Sequence, residues 1–142
     1  MPLGGVISSA TITSSFTHAP VLGHISTFGG HPVCCAAGMA ALEYNLVHSL
    51  SHDAEIIGAL FEELLGNHPS IVEIRRSGLL MAIELSDNDF LMALMEQFRQ
   101  TGIMSDWFLF CNTAFRISPP LTISRNEVHE CCAIIIDCLE RC

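Results

Sequence analysis

Between residues 56 and 98 the spacing of apolar side chains switches from a helical period to a two-residue period and back. This switch restricts the fold more than any other property of the sequence. Ile56, Ile57, Leu60, Phe61, Leu64 and Leu65 recur at helical spacing, and Gly66 followed by Pro69 is a stop signal. Residues 71–76 and 79–85 then read as two strands joined through Ser77-Gly78, with Glu73 and Glu84 facing water. Phe90, Leu91, Leu94, Met95 and Phe98 restore the helical period, which Gly102 ends. Short apolar stretches around Ile103, Phe108 and Phe115 are the remaining strand candidates. In the last segment Ser124 and Glu127 have capping-box spacing, and Val128, Cys131, Cys132, Ile135, Cys138, Leu139 and Cys142 fall on one stripe. Three or more cysteines are therefore expected to face the core. From about residue 51, the order helix, two strands, helix, strands, helix predicts an α+β domain.

The first 50 residues fit that scheme poorly. Residues 3–9 form a short Gly-rich, β-branched stretch compatible with a strand. A polar segment leads to the loop HISTFGGHP at 24–32, and Pro32 then stands where a helix best tolerates proline, in its first turn. Val33, Ala36, Ala37, Ala40 and Ala41 recur at helical spacing, predicting a helix to about Val47 whose alanines and Gly38 imply tight packing. One strand, one loop and one helix cannot close a core, so this segment is expected to be a piece of something larger. A mean hydropathy of +0.45 in an acidic chain agrees, because surface made for a missing partner is apolar.

Composition narrows the function. The 142 residues are half apolar, enough for a real core, and carry a formal charge of -9, which argues against binding a phosphate backbone. No nucleic-acid partner is expected. The longest apolar runs, such as residues 33–42, fall short of the roughly 18 to 20 residues that span a bilayer, and the opening MPLGG has no basic, signal-like character. No membrane anchor and a cytoplasmic location are the expectation. Seven cysteines, with adjacent pairs at Cys34-Cys35 and Cys131-Cys132, read as reduced thiols and not as a disulfide framework. His24, His31, Cys34 and Cys35 invite a zinc site, but no second Cys or His pair follows at finger-like spacing. Cys34 and Cys35 also point to different sides of a helix, so no metal is expected. All six basic residues are arginines: Arg75, Arg76, Arg99, Arg116, Arg125 and Arg141. The chain contains no lysine, and chemistry that needs a lysine amine is excluded for it.

Four stretches in order carry a resemblance: PLGGVISS, GHISTFGGHPVCCAAGMAALE, EIRRSGLLMAIEL and FRISPPLTIS. Together they are similar to the carboxy-terminal part of the class III aminotransferases, pyridoxal-phosphate enzymes of fold type I. The resemblance covers essentially the whole chain. It implies that residues 1–50 are a partial α/β large-domain segment of strand, cofactor-phosphate loop and helix. Residues 51–142 would be the small carboxy-terminal α+β domain, an antiparallel sheet covered by helices.

The resemblance also implies roles. Thr27, with Ser26 beside it, would bind the phosphate of pyridoxal 5'-phosphate across the interface of a homodimer, and Arg116 would grip a substrate carboxylate. Both assignments are chemically sensible. Hydroxyl and backbone N–H donors suit a phosphate dianion, and Gly29 and Gly30 allow close backbone approach. A guanidinium fork matches a planar carboxylate, and Pro119-Pro120 can stiffen the segment after Arg116. The intact enzyme would move an amino group from an amino acid or amine to a 2-oxo acid. The family's cofactor-binding lysine lies upstream of the PLGG segment and has no counterpart here, so this chain alone is expected to be inactive, with no catalytic residue of its own. Two other readings stand beside this one. The first is a free-standing, non-catalytic interaction module derived from the same fold, and the second is a zinc-binding module.

Overall fold

The computed structural model describes residues 1–142 except Pro20 and Leu22. The chain divides into two units, Met1–His48 and Ser49–Cys142.

In the first unit, residues 1–9 form no strand, which corrects the expectation for 3–9. A strand needs a neighbour for its N–H and C=O groups, and none pairs with this segment among the described residues. The hydroxyl-rich sequence that follows supplies local partners instead. Ser9 caps a one-turn helix α1 (Ala10–Thr13), and a 3-10 turn follows over Ser14–Thr17. Thr13, Ser14, Ser15 and Thr17 all donate their hydroxyls to carbonyls three or four residues back, at 2.7 to 2.8 Å. Helix α2 (Pro32–His48) begins at the expected proline. Gly38 packs against Leu3, whose Cδ2 lies 2.1 Å from where a Cβ on Gly38 would stand. No residue of α2 is buried within the unit, and Met39, Leu42, Leu46 and Val47 are all more than 60% exposed.

The second unit is a two-layer α+β structure. Helix α3 (Leu50–Leu65) leads to the hairpin β1 (Ile71–Ser77) and β2 (Leu80–Leu85). Helix α4 (Asn88–Thr101), the short β3 (Trp107–Phe108), β4 (Cys111–Ile117) and α5 (Arg125–Glu140) complete it. The sheet is antiparallel throughout, in the order β1-β2-β4-β3. The hairpin turns on Gly78, whose φ of +56° is the conformation a two-residue loop with glycine first requires. Helix starts are set by side-chain caps: Asp87 accepts from Phe90 N–H at 2.8 Å, and Ser124 and Glu127 form the expected capping box. Helix α4 ends at Gly102 with φ +82°, and Ile103 donates back to Phe98 O at 2.9 Å. Ile103 thus belongs to the helix stop and not to a strand, another correction.

Helix α3 packs on β1 and α5, and α4 on β2, β4 and α5, so all three cover one face of the sheet. The core between the layers includes Phe61, Met81, Ile83, Leu94, Phe98 and Phe115, with Phe98 and Phe115 meeting edge to face at 5.3 Å. Cys132 and Cys138 are buried and Cys131 half-buried, but Cys142 is exposed, because α5 ends at Glu140 and Cys142 lies past its C-cap, Arg141. Ile56, expected on the buried face of α3, is 42% exposed.

Helix α3 approaches the hairpin most closely at Gly58, where an added Cβ would stand 2.2 Å from Gly78 O. Gly58→Ala is therefore expected to lower stability by about 1–3 kcal/mol, read as a reduced urea midpoint at unchanged slope. The carboxyls of Glu127 and Asp87 are held below their usual range by hydrogen bonds from the helix N-termini they cap, to Ser124 and Phe90 respectively. Groups depressed in this way stabilise the fold fully above the ordinary carboxylate pKa and lose the contribution as pH falls through the folded value. Urea unfolding between about pH 5 and pH 3 should show stability declining on acidification, with a shallower decline in Glu127→Gln.

Candidate functional site

Two places carry the residues singled out from sequence, one in each unit. Ser26 and Thr27 lie in the first unit and Arg116 in the second, and each is described within its own unit.

In the first unit, residues 26–31 make two consecutive turns. Gly29 N–H donates to Ser26 O at 3.2 Å, and His31 N–H donates to Phe28 O at 3.1 Å. Gly30 has φ +71°, open to glycine, and a Cβ on Gly29 would stand 3.0 Å from Ser26 Oγ. Glycine is thus required in the second turn by conformation and favoured in the first by space. Ser26 and Thr27 are exposed, and the Thr27 hydroxyl has no hydrogen-bond partner among the described residues. Cys35 N–H donates to His31 O at 2.9 Å as the chain enters α2, so the turns precede the positive end of a 17-residue helix. Phe28 packs its ring on His31 at 5.8 Å, and His31 Nδ1 is buried without a partner among the described residues. Two hydroxyls without a partner among the described residues, tight glycine turns, a helix N-terminus and no acidic side chain from 24 to 32 fit a phosphate group.

In the second unit, Arg116 lies near the end of β4. Phe115 and Ile117 on either side of it are buried in the core, so strand alternation places the Arg116 side chain on the face that no helix covers. Arg116 is in register with Ala82, and Ala82 with Arg75, so the three form a row across that face. The backbone of Arg116 is clasped on both polar groups. Its N–H donates to Asp106 O at 2.8 Å, and its carbonyl accepts from Ser105 Oγ at 2.6 Å. Arg116, Ser105 and Asp106, with Ser118, Pro119 and Pro120, line a groove of about 480 Å³ that also touches Phe98 and Cys131. Arg75, Arg76, Arg99 and Arg141 all have carboxylate partners, whereas Arg116 on the sheet and Arg125 at the start of α5 have none among the described residues.

Sequence reasoning did not single out Ser105, Asp106 or Arg75. The pairing of β1 with β2 and of β2 with β4 places Arg75 in the row with Arg116, once the register is known. Nothing local marks Ser105 or Asp106, whose role depends on how β3 and β4 meet.

Among the described residues no group of three or more His, Cys, Asp or Glu side chains is placed to hold a metal ion. No helix of the described residues is long and apolar enough to cross a membrane. The cysteines differ in character. Burial pushes the Cys132 thiol up to about 12 and raises Cys131. Cys111 is lowered by hydrogen bonds from Thr113.

A family profile described as Aminotransferase class-III matches residues 1–139. The chain belongs to the class III aminotransferases, a pyridoxal-phosphate-dependent family. It is 34% identical over 132 residues to a putrescine aminotransferase of Pectobacterium atrosepticum, matching 89% of this chain and 28% of that protein. Among solved structures, an aminotransferase from Bacillus anthracis superposes with a TM-score of 0.76 at 25% identity, covering 94% of this chain and 34% of the other. The ornithine aminotransferase of Toxoplasma gondii superposes with a TM-score of 0.74 at 33% identity, covering 87% and 30%. The chain thus spans about a third or less of the length of these relatives.

The thiol environments lead to a direct expectation. With iodoacetamide at about pH 8, Cys111 should be alkylated well before Cys131 and Cys132, because only a thiolate reacts and burial suppresses it. Peptide mass spectrometry of a timed reaction reads the order. Unfolding in urea should abolish the difference.

Proposed function

We propose that this chain is the carboxy-terminal part of a pyridoxal-phosphate-dependent aminotransferase that moves an amino group from an amino acid or amine to a 2-oxo acid. Residues 1–50 would be a partial large-domain segment and residues 51–142 the small domain. The observation that carries this reading is the contrast among the arginines. Arg116 alone combines a backbone fixed by two hydrogen bonds, a place on the uncovered sheet face and a guanidinium without a carboxylate partner among the described residues. Such a group is poised for a carboxylate from outside, and both substrates of a transaminase can bring one.

When bound, pyridoxal phosphate supplies an electron sink that lets an amino group pass between carbon skeletons. The residues of this chain bind and orient around it. Ser26 and Thr27, with the backbone N–H groups of their turns, hold the phosphate dianion at the positive end of α2. They would do so for the other subunit of a cytoplasmic homodimer. Arg116 takes the substrate carboxylate in its fork and fixes which end of the substrate faces the reaction. The chain has no lysine, so it offers no side-chain amine to anchor the cofactor covalently or to carry the proton between carbon and nitrogen. By itself it is inactive.

Exposed apolar side chains on the first unit support its being a piece of a larger assembly. Val6, Ile7, Val21, Leu46 and Val47 are all at least 70% exposed, more apolar surface than a segment evolved to face water leaves open.

Incubating the chain with pyridoxal phosphate, reducing with borohydride and mapping its peptides by mass spectrometry should show no adduct on any side chain, the only primary amine in the sequence being the α-amine of Met1. A reduced side-chain adduct would contradict the predicted inactivity. In the same titrations Thr27→Ala should weaken non-covalent pyridoxal-phosphate binding about tenfold, roughly what one hydrogen bond to a charged group contributes. Unchanged affinity would remove Thr27 from the phosphate site.

A further inference from the structure

The open face of the sheet carries two arginines in different company. Arg75 on β1 lies opposite Ala82, and Ala82 lies opposite Arg116 on β4, so the two guanidinium stems rise from one face with a single small side chain between them. Arg75 Nη1 donates to the carboxylates of both Glu73 and Glu84. Arg75 Nη2 also lies 3.9 Å from Cys111 Sγ, and Glu84 accepts from Thr113 Oγ1 at 3.4 Å.

Glu84 is in register with Ala114, two residues from Arg116 on the same strand. That is the diagonal relation across an antiparallel pair, where backbones stand about 7–8 Å apart and long side chains meet. The Glu84 side chain is only 28% exposed, so its carboxylate has less solvent to compensate it than Glu73, at 56%. It would be the natural counter-ion of Arg116. Instead it is turned to Arg75.

We propose that Arg75 is a positioning residue for the carboxylate site at Arg116: by engaging Glu73 and Glu84 it keeps Glu84 from neutralising Arg116 and leaves that guanidinium open to substrate. The inference rests on the reading of Arg116 as a carboxylate ligand. The chemistry explains why an arginine stands at 75. A guanidinium carries five donors, so Nη1 can serve both carboxylates while Nη2 still reaches toward Cys111 Sγ, a spread that a single ammonium does not have. It also explains the alanine at 82, since a larger side chain there would stand between the two arginines and crowd the incoming carboxylate.

The test uses the chain's six arginines, whose Nε–Hε groups give a sparse NMR spectrum. The probe is glutarate, a plain dicarboxylate, titrated into the wild type, with Arg116→Ala as the blank. Two readouts are taken: the Arg116 Nε–Hε signal without ligand, and the glutarate dissociation constant. Arg75→Ala is expected to move the ligand-free Arg116 signal and to weaken glutarate binding about two- to fivefold, the range of an exposed ion pair. Adding Glu84→Gln to Arg75→Ala should return both to wild-type values, while Glu84→Gln alone should leave binding unchanged. If Arg75→Ala leaves the Arg116 signal in place, or if Glu84→Gln fails to reverse its effects, Arg75 is only a structural ion-pair residue and the proposal falls. If glutarate leaves Arg116 undisturbed in the wild type, the carboxylate site itself is refuted, and this role of Arg75 with it. Should Arg75→Ala not fold, Arg75→Lys serves, with a smaller shift in the same direction and the same rescue expected.

Discussion

Met81, Ile83 and Leu85 on β2 are buried in one core with Leu94, Phe98 and Ile135, and that burial fixes the register on which the rest of the 49–142 unit depends. A slip of one residue would turn Ala82 and Glu84 inward and expose three large apolar side chains, each contributing about 1.5–3 kcal/mol when buried. The hairpin cannot slide. With β2 pinned, Arg75 and Arg116 are carried to the open face by pairing alone, and Phe115 and Ile117 hold β4 from the core side. Which side chains one face presents is thus enforced by packing on the other. Three helices seal the first, and the absence of a covering element among the described residues of this unit leaves the second available to ligands.

Much of this unit is legible in the sequence because its signals are local and agree with one another. Helix α5 announces itself by a capping box and a stripe, α4 by its apolar period and a glycine stop, and the hairpin by alternation around Gly78. Each signal rests on hydrogen bonds or burial within a few residues, so no knowledge of the fold is needed to read it. The misreadings have the opposite character. Residues 3–9 have β-branched composition but no neighbour to pair with, and a strand is a relation between two segments. Ile103 is apolar because it closes a helix end, a role that composition does not distinguish from a strand residue. Cys142 follows the stripe of α5 by spacing, yet a stripe predicts burial only as far as the helix runs, and this one ends at Glu140.

The candidate site was legible in a different way. Thr27 and Arg116 stand out only when four motifs are taken together, because a hydroxyl in a glycine loop or an arginine before prolines is ordinary surface chemistry alone. What no motif conveys is the company each keeps. The isolation of Arg116 from carboxylates depends on where Glu84 turns, and that depends on Arg75 across the sheet. Electrostatic availability is a property of a neighbourhood, and a single strand's sequence does not contain one.

The distribution of charge gives that point its weight. The chain carries 15 acidic residues against six arginines, so carboxylates outnumber cations by more than two to one and an unpaired guanidinium is not the statistical expectation. Among the described residues two arginines stay without a carboxylate partner, Arg125 at the start of α5 and Arg116 on β4, and of these only Arg116 lies in a sheet with an acid, Glu84, on the neighbouring strand. Around Arg116 the row holds alanine at 82 and arginine at 75, and the nearest acid on β2 is engaged elsewhere. Lysine, whose mobile ammonium would make a weaker anchor for a planar carboxylate and a poorer clasp for two acids, is used nowhere. The cations of this chain serve as geometrically defined clamps, which is what a domain that binds and orients substrate, and leaves proton transfer to an amine supplied from elsewhere, would require.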